Sequence, residues 1–161
     1  MQEEQPTPVA SVEKPRGMYP GKLDDKGRLK LPVNFQEFLK SFGEEKFFIT
    51  SLDRRLAQIY PMSVWRVNEK FFEDFTEDPE ASDRVRFNAD DLGAEAEMDS
   101  SGRLLVNTRL RRQLDLEGQE LQMVAHNSRI ELMSEAVYQE RRRAQQDPVA
   151  DVTALRKQGL K

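Results

Sequence analysis

Two stretches of this chain are versions of each other. Leu23-Asp24-Asp25-Lys26-Gly27-Arg28-Leu29-Lys30-Leu31-Pro32 returns as Met98-Asp99-Ser100-Ser101-Gly102-Arg103-Leu104-Leu105-Val106-Asn107. Asp24, Gly27, Arg28 and Leu29 each recur 75 positions on, and the same interval joins Leu39 to Leu114 and Gly43 to Gly118. A constant interval over that many positions marks an internal duplication. It constrains the fold more than any composition does, because each copy must build the same unit.

The unit itself follows from residue chemistry. Leu29, Leu31 and Val33 alternate with Arg28, Lys30 and Pro32, and Leu104 and Val106 repeat the pattern, which is strand periodicity. Asp24 and Asp99 fit the start of a tight turn, where a carboxylate accepts backbone N–H groups two residues on. Gly27 and Gly102 fit the position that needs a positive φ. Each copy therefore predicts strand, turn, strand, with an Asp–Arg pair across the bend. Two readings of that pair stand side by side. It is a turn staple, of the kind whose surface ion pairing contributes little. Or Arg28, Lys26 and Arg103 meet phosphates or guanine edges from an exposed turn.

The two D-x-x-G-R stretches, with Arg16-Gly17 upstream and Tyr60-Pro61-Met62-Ser63-Val64-Trp65 downstream, resemble the MraZ family of bacterial regulators. The resemblance runs from about 16 to about 143, and Asp24…Arg28 and Asp99…Arg103 match its once-per-half signature. It implies an α+β, mainly β fold: a duplicated SpoVT/AbrB-like swapped-hairpin, double-psi-like β-barrel with peripheral helices. It also implies ring-like homo-oligomers and sequence-specific binding to tandem repeats in promoter DNA, usually ahead of a cell-division and cell-wall operon. Carried onto this chain, Lys26, Arg28 and Arg103 become the DNA-binding residues. Asp24, Gly27, Asp99 and Gly102 orient them. The chain departs from the pattern at Gln36, often Arg in the family, at Asn107 in place of Pro or a small residue, and at Pro15 before Arg16-Gly17.

The expected organisation is a disordered tail over 1–15, a first module over 16–62, linking helices over 63–93, a second module over 94–137, and a helix and tail over 138–161. Within these, Asn34 and Glu37 suggest a capping box and Ser63 a cap for the longer helix. Val64, Val67, Phe71 and Phe75 make one apolar stripe. After Arg141-Arg142-Arg143 the periodicity fades and a loose end is expected.

Composition sets the function classes. The net charge is −4, which argues against an indiscriminate nucleic-acid binder. The cations nevertheless gather in the two repeat cores, while 69–99 is strongly acidic. Without Cys there is no thiolate metal site or disulfide, and the single His126 has no partner motif, so no metal and no cofactor are expected. Nucleophile-elbow and phosphate-loop patterns are absent, and an enzyme is not expected. No apolar run approaches a membrane span, so a cytoplasmic, nucleoid-associated protein is the expectation. The reading from another class is a non-DNA scaffold in which the same barrel only multimerises.

Overall fold

The computed structural model describes residues 12–161. The expected tail therefore falls mostly outside the described residues. In chain order the first repeat contributes β1 (Met18–Gly21), β2 (Arg28–Lys30), α1 (Val33–Lys40), β3 (Lys46–Thr50), β4 (Ala57–Pro61) and α2 (Met62–Asp74). Next come α3 (Pro79–Leu92), β5 (Ala94–Glu97), β6 (Arg103–Leu105), α4 (Thr108–Gln113), β7 (Leu121–His126), β8 (Arg129–Met133), α5 (Glu135–Arg143) and α6 (Pro148–Lys157). The fold is α+β, and every strand pair is antiparallel.

Strand alternation decides which side chains go inside. In β2 and β6 the middle residues, Leu29 and Leu104, are fully buried, and they are register partners. Burying each stabilises the fold by about 1.5–3 kcal/mol. Their neighbours Arg28, Lys30, Arg103 and Leu105 consequently take the other face. Leu31, Phe35, Leu39, Phe47, Ile49 and Ile59 from the first repeat join Val106, Leu110, Leu121, Ile130 and Leu132 from the second in one core.

The two repeats exchange strands. The large sheet runs β1-β7-β8-β4-β3-β5, and β2 pairs with β6 in a second, two-stranded ladder. Swapping β1 with β5, β3 with β7 and β4 with β8 returns the same order read backwards, so a pseudo-two-fold relates the halves. That axis passes through Leu29–Leu104 and Gln58–Glu131, each a residue paired with its own counterpart. The interval drifts along the chain. Tyr19 pairs with Met123, whereas Ala94, 75 positions after Tyr19, pairs with Ile49, 74 positions before Met123. Thr50 pairs with Gln58, and its counterpart Val124 pairs with Glu131, 73 positions after Gln58. One residue is thus lost before β7 and one inside the hairpin.

Other departures have local causes. The strand ends at Lys30 and the expected alternation carries only to buried Leu31: Val33 is exposed and already opens α1. That helix starts from the Pro32 carbonyl, which accepts from Phe35 and Gln36, so no Asn34–Glu37 box forms. Asn34 instead donates to the Tyr19 hydroxyl at 3.3 Å. Likewise α2 starts at Pro61 with no side-chain cap, and among the described residues the Ser63 Oγ has no hydrogen-bond partner. The apolar stripe of α2 divides: Val64 and Trp65 are buried, Trp65 stacked on Phe48 at 4.5 Å, while Phe71 is exposed. The loose end expected after Arg143 is replaced by α6. Asp147 caps it by accepting from the Ala150 N–H, and Pro148 takes the first helical position, where no N–H is needed. Among the described residues, no helix is long and apolar enough to cross a membrane.

Candidate nucleic-acid interface

Each Asp-x-x-Gly-Arg turn is closed by the same four hydrogen bonds. In the first, Asp24 Oδ1 accepts from the backbone N–H groups of Lys26 (3.0 Å) and Arg28 (2.9 Å). The Asp24 N–H donates to the Arg28 carbonyl and the Gly27 N–H to the Asp24 carbonyl. In the second, Asp99 Oδ1 accepts from Ser101 and Arg103, both at 2.9 Å, and the two backbone bonds are repeated. Gly27 and Gly102 hold φ of 82° and 76°, conformations an L side chain resists. The free oxygen of each carboxylate takes the arginine: Arg28 Nε to Asp24 Oδ2 and Arg103 Nε to Asp99 Oδ2, both 2.8 Å.

The aspartates therefore aim both guanidinium groups through Nε, and at Arg28 the far edge stays open. The Arg28 Nη atoms make no hydrogen bond among the described residues. About 30% of each arginine side chain is exposed, 29% for Arg28 and 31% for Arg103. That is less than the sequence reading supposed, but neither is sealed in. Arg103 Nη1 also lies 3.9 Å from Asp24 Oδ2, so the two turns meet in one cluster.

Exchange between the halves locks this arrangement. The Leu31 N–H donates to the Gly102 carbonyl (3.1 Å) and, symmetrically, the Val106 N–H to the Gly27 carbonyl (2.9 Å). The Arg111 guanidinium of α4 sits where a Cβ on Gly27 would stand, and the Gln36 amide of α1 does the same at Gly102. Arg111 donates to the Thr108 hydroxyl at 2.8 Å and Gln36 to the Leu31 carbonyl at 2.6 Å. Gln36 and Arg111 are themselves 75 positions apart. Asn107, the departure noted in the second copy, caps α4 through the Leu110 N–H and donates to the Leu92 carbonyl.

All the turn residues singled out in the sequence come together: Asp24, Lys26, Gly27 and Arg28 with Asp99, Gly102 and Arg103. Two further cations belong with them. Lys30 lies directly opposite Arg103 in the ladder, and its ammonium donates to the Ser101 carbonyl. Arg111 covers Gly27. Neither is among the residues expected from the sequence, although parity with Arg28 was a signal for Lys30 and the 75-residue interval from Gln36 was one for Arg111. The resulting surface holds five cations against Asp24, Asp25 and Asp99. One apolar side chain interrupts it: Leu105, 52% exposed and directly opposite Arg28. His126 ends β7 on the surface, and among the described residues no three His, Asp or Glu side chains could hold a metal.

The carboxylates respond to this geometry. Asp24 and Asp99 are held below the usual value of 3.8, chiefly by the backbone N–H of Arg28 and Arg103, with the guanidinium bonds acting in the same direction and desolvation opposing. Because the folded pKa is depressed, the turns are fully held above the unfolded value and loosen as pH falls through the lower, folded one. A carbon-detected NMR titration should give midpoints below 3.8 for both. A midpoint at or above that value would contradict the hydrogen-bond assignment.

No protein-family model matches the chain. Individual proteins do. The transcriptional regulator MraZ of Acidobacterium capsulatum is 36% identical over 107 residues, covering 64% of this chain and 70% of that protein. The transcriptional regulator MraZ of Desulfitobacterium hafniense (strain Y51) is 35% identical over 136 residues, 83% of this chain and 90% of its own length. That of Pectobacterium carotovorum is 28% identical over 144 residues, 84% and 94%. With that identity sustained over nearly the whole of a relative, and both Asp–Arg turns built alike, the chain belongs to the MraZ family.

Proposed function

We propose that this protein is a sequence-specific DNA-binding transcriptional regulator that acts on tandem repeats in a cell-division and cell-wall promoter. One observation carries the reading. Two Asp-anchored arginines and Lys30 share the outward face of a single two-stranded ladder, while its inward face is the core. A guanidinium oriented through Nε keeps its Nη edge free for a guanine or a phosphate, which is what directed recognition needs. The palindromic strand order supports a duplicated SpoVT/AbrB-like swapped-hairpin barrel as the scaffold. Copies assemble head to tail into a ring through the long helices, so that several modest grips act on several boxes at once. The working place is the nucleoid.

Binding to a fragment from upstream of the protein's own gene tests this. The logarithm of affinity should fall linearly with the logarithm of salt concentration, with a slope of about −0.9 per phosphate neutralised. A scrambled fragment should bind more weakly at equal salt. No retention of either fragment at low salt would leave the barrel a scaffold only.

A further inference from the structure

The repeat continues past the last strand. α5 follows β8 as α2 follows β4, and α6 then begins as α3 does: Asp147-Pro148-Val149-Ala150 against Asp78-Pro79-Glu80-Ala81. The two capping aspartates share one backbone conformation, φ −140° and ψ 78° at Asp78, φ −139° and ψ 81° at Asp147. Each carboxylate accepts from the alanine three residues on, at 3.1 and 3.0 Å. α6 is thus the second copy of α3, at an interval of 69.

The copies then part. α3 runs 14 residues, and its last turn is anchored by buried Ala89 and Leu92 and by the Thr50 hydroxyl, which donates to the Ala89 carbonyl at 2.7 Å. The positions 69 further on are Gln158 and Lys161, which have nothing to bury. α6 instead ends one turn sooner, where the Leu160 N–H reaches back to the Leu155 carbonyl over Gly159 in a left-handed conformation. It cannot take the place that α3 takes. What it carries is an apolar stripe of Val149, Val152 and Leu155, exposed by 77%, 38% and 57%, and no residue of the helix is buried. A helix of ten residues with both ends capped but no packed face draws its stability from a partner.

A second open apolar surface lies at the end of α2. Phe71 is 54% exposed and stacks on Phe75 at 5.0 Å. Along the chain beside it lie Glu69, Glu73, Asp74, Glu77 and Asp78 against Lys70, a net negative stretch, whereas α6, with Asp147 and Asp151 in its first turns, ends in Arg156, Lys157 and Lys161. The two surfaces match in chemistry and oppose in charge, and in the folded single chain both stay open. We propose that α6 is a strap that lays its Val149–Val152–Leu155 stripe on the Phe71–Phe75 end of α2 in a second copy of this chain. Each copy then gives one strap and receives another, a head-to-tail contact that closes as a ring when the rotation allows. The strap deepens the assembly part of the reading above and leaves the DNA contact untouched.

The absence of native cysteine makes the test direct. Full-length Leu155→Cys and Phe71→Cys chains are mixed, exchanged and gently oxidised. The mixture should give a covalent dimer on a non-reducing gel, several-fold more abundant than either chain gives alone. The full-length V152D/L155D variant should sediment as a smaller species than the parent while keeping the parent's thermal unfolding. Three results overturn the strap: no mixed dimer, a cross-link that stays within single chains when one full-length chain carries both Phe71→Cys and Leu155→Cys, or parental mass in V152D/L155D. Binding of the parent to upstream DNA is measured alongside. A failed strap with that binding intact removes the strap alone, whereas absent binding removes the regulator reading.

Discussion

Arg28→Ala is expected to lower affinity for the upstream fragment by about 1–3 kcal/mol per site, roughly five- to 150-fold, with no comparable loss of fold. The argument rests on how the side chain is held. Asp24 keeps its two backbone donors when the guanidinium is gone, so the turn stays closed. What disappears is the Nη edge that the Nε bond had aimed outward. Arg28→Lys separates aim from charge. It retains a cation, and so most of the salt slope, but cannot reproduce the planar fork, so discrimination between specific and scrambled fragments should collapse. Arg103→Ala should act in the same direction and less strongly, because Ser101 stands where the first turn has Lys26. Fluorescence anisotropy at two salt concentrations, with thermal unfolding of each variant, reads all three. Parental affinity in Arg28→Ala would remove Arg28 from the site.

The second large effect lies directly behind those arginines. Leu29→Ala and Leu104→Ala should each destabilise the protein by about 2–5 kcal/mol, since both side chains are fully buried and little can collapse into the space between two short strands. For a chain of this size that lowers the unfolding midpoint by roughly 4–20 °C. The double variant should lose less than the sum, because the two residues are register partners and share one cavity. It should also lose DNA binding, since the ladder that sets Arg28 beside Arg103 would no longer be held. Urea unfolding of the two single variants and the double completes the cycle. Strict additivity would mean that the strands do not pack as a pair.

What the sequence disclosed was whatever depends on neighbours along the chain. The Asp24 and Asp99 turns and the positive φ at Gly27 and Gly102 all follow from spacing and residue type. The partners of β1 and β5 did not. A strand is expected ahead of each turn, but nothing local says that it pairs across to the other repeat. The arginines were seen as exposed because alternation points them outward, and alternation cannot register the carboxylate that covers one side of each. α6 was missed because its apolar stripe is short and follows three arginines. Its capping Asp147-Pro148 was nevertheless legible as a repeat of Asp78-Pro79. Asn34 and Ser63 looked like caps, but a preceding proline had already set the helix start at both places.

The exchange of strands has a consequence for how the molecule is made. As the chain leaves the ribosome, β1 emerges without its neighbour and waits for β7, about a hundred residues later. β3 and β4 can form their hairpin at once, yet β3's outer edge stays bare until β5 arrives and β4's until β8 does. Long-range pairings of this kind close slowly and leave edges exposed meanwhile. A nascent first half therefore has no finished structure of its own, and a transcript cut short after it would yield an open sheet, prone to join with others.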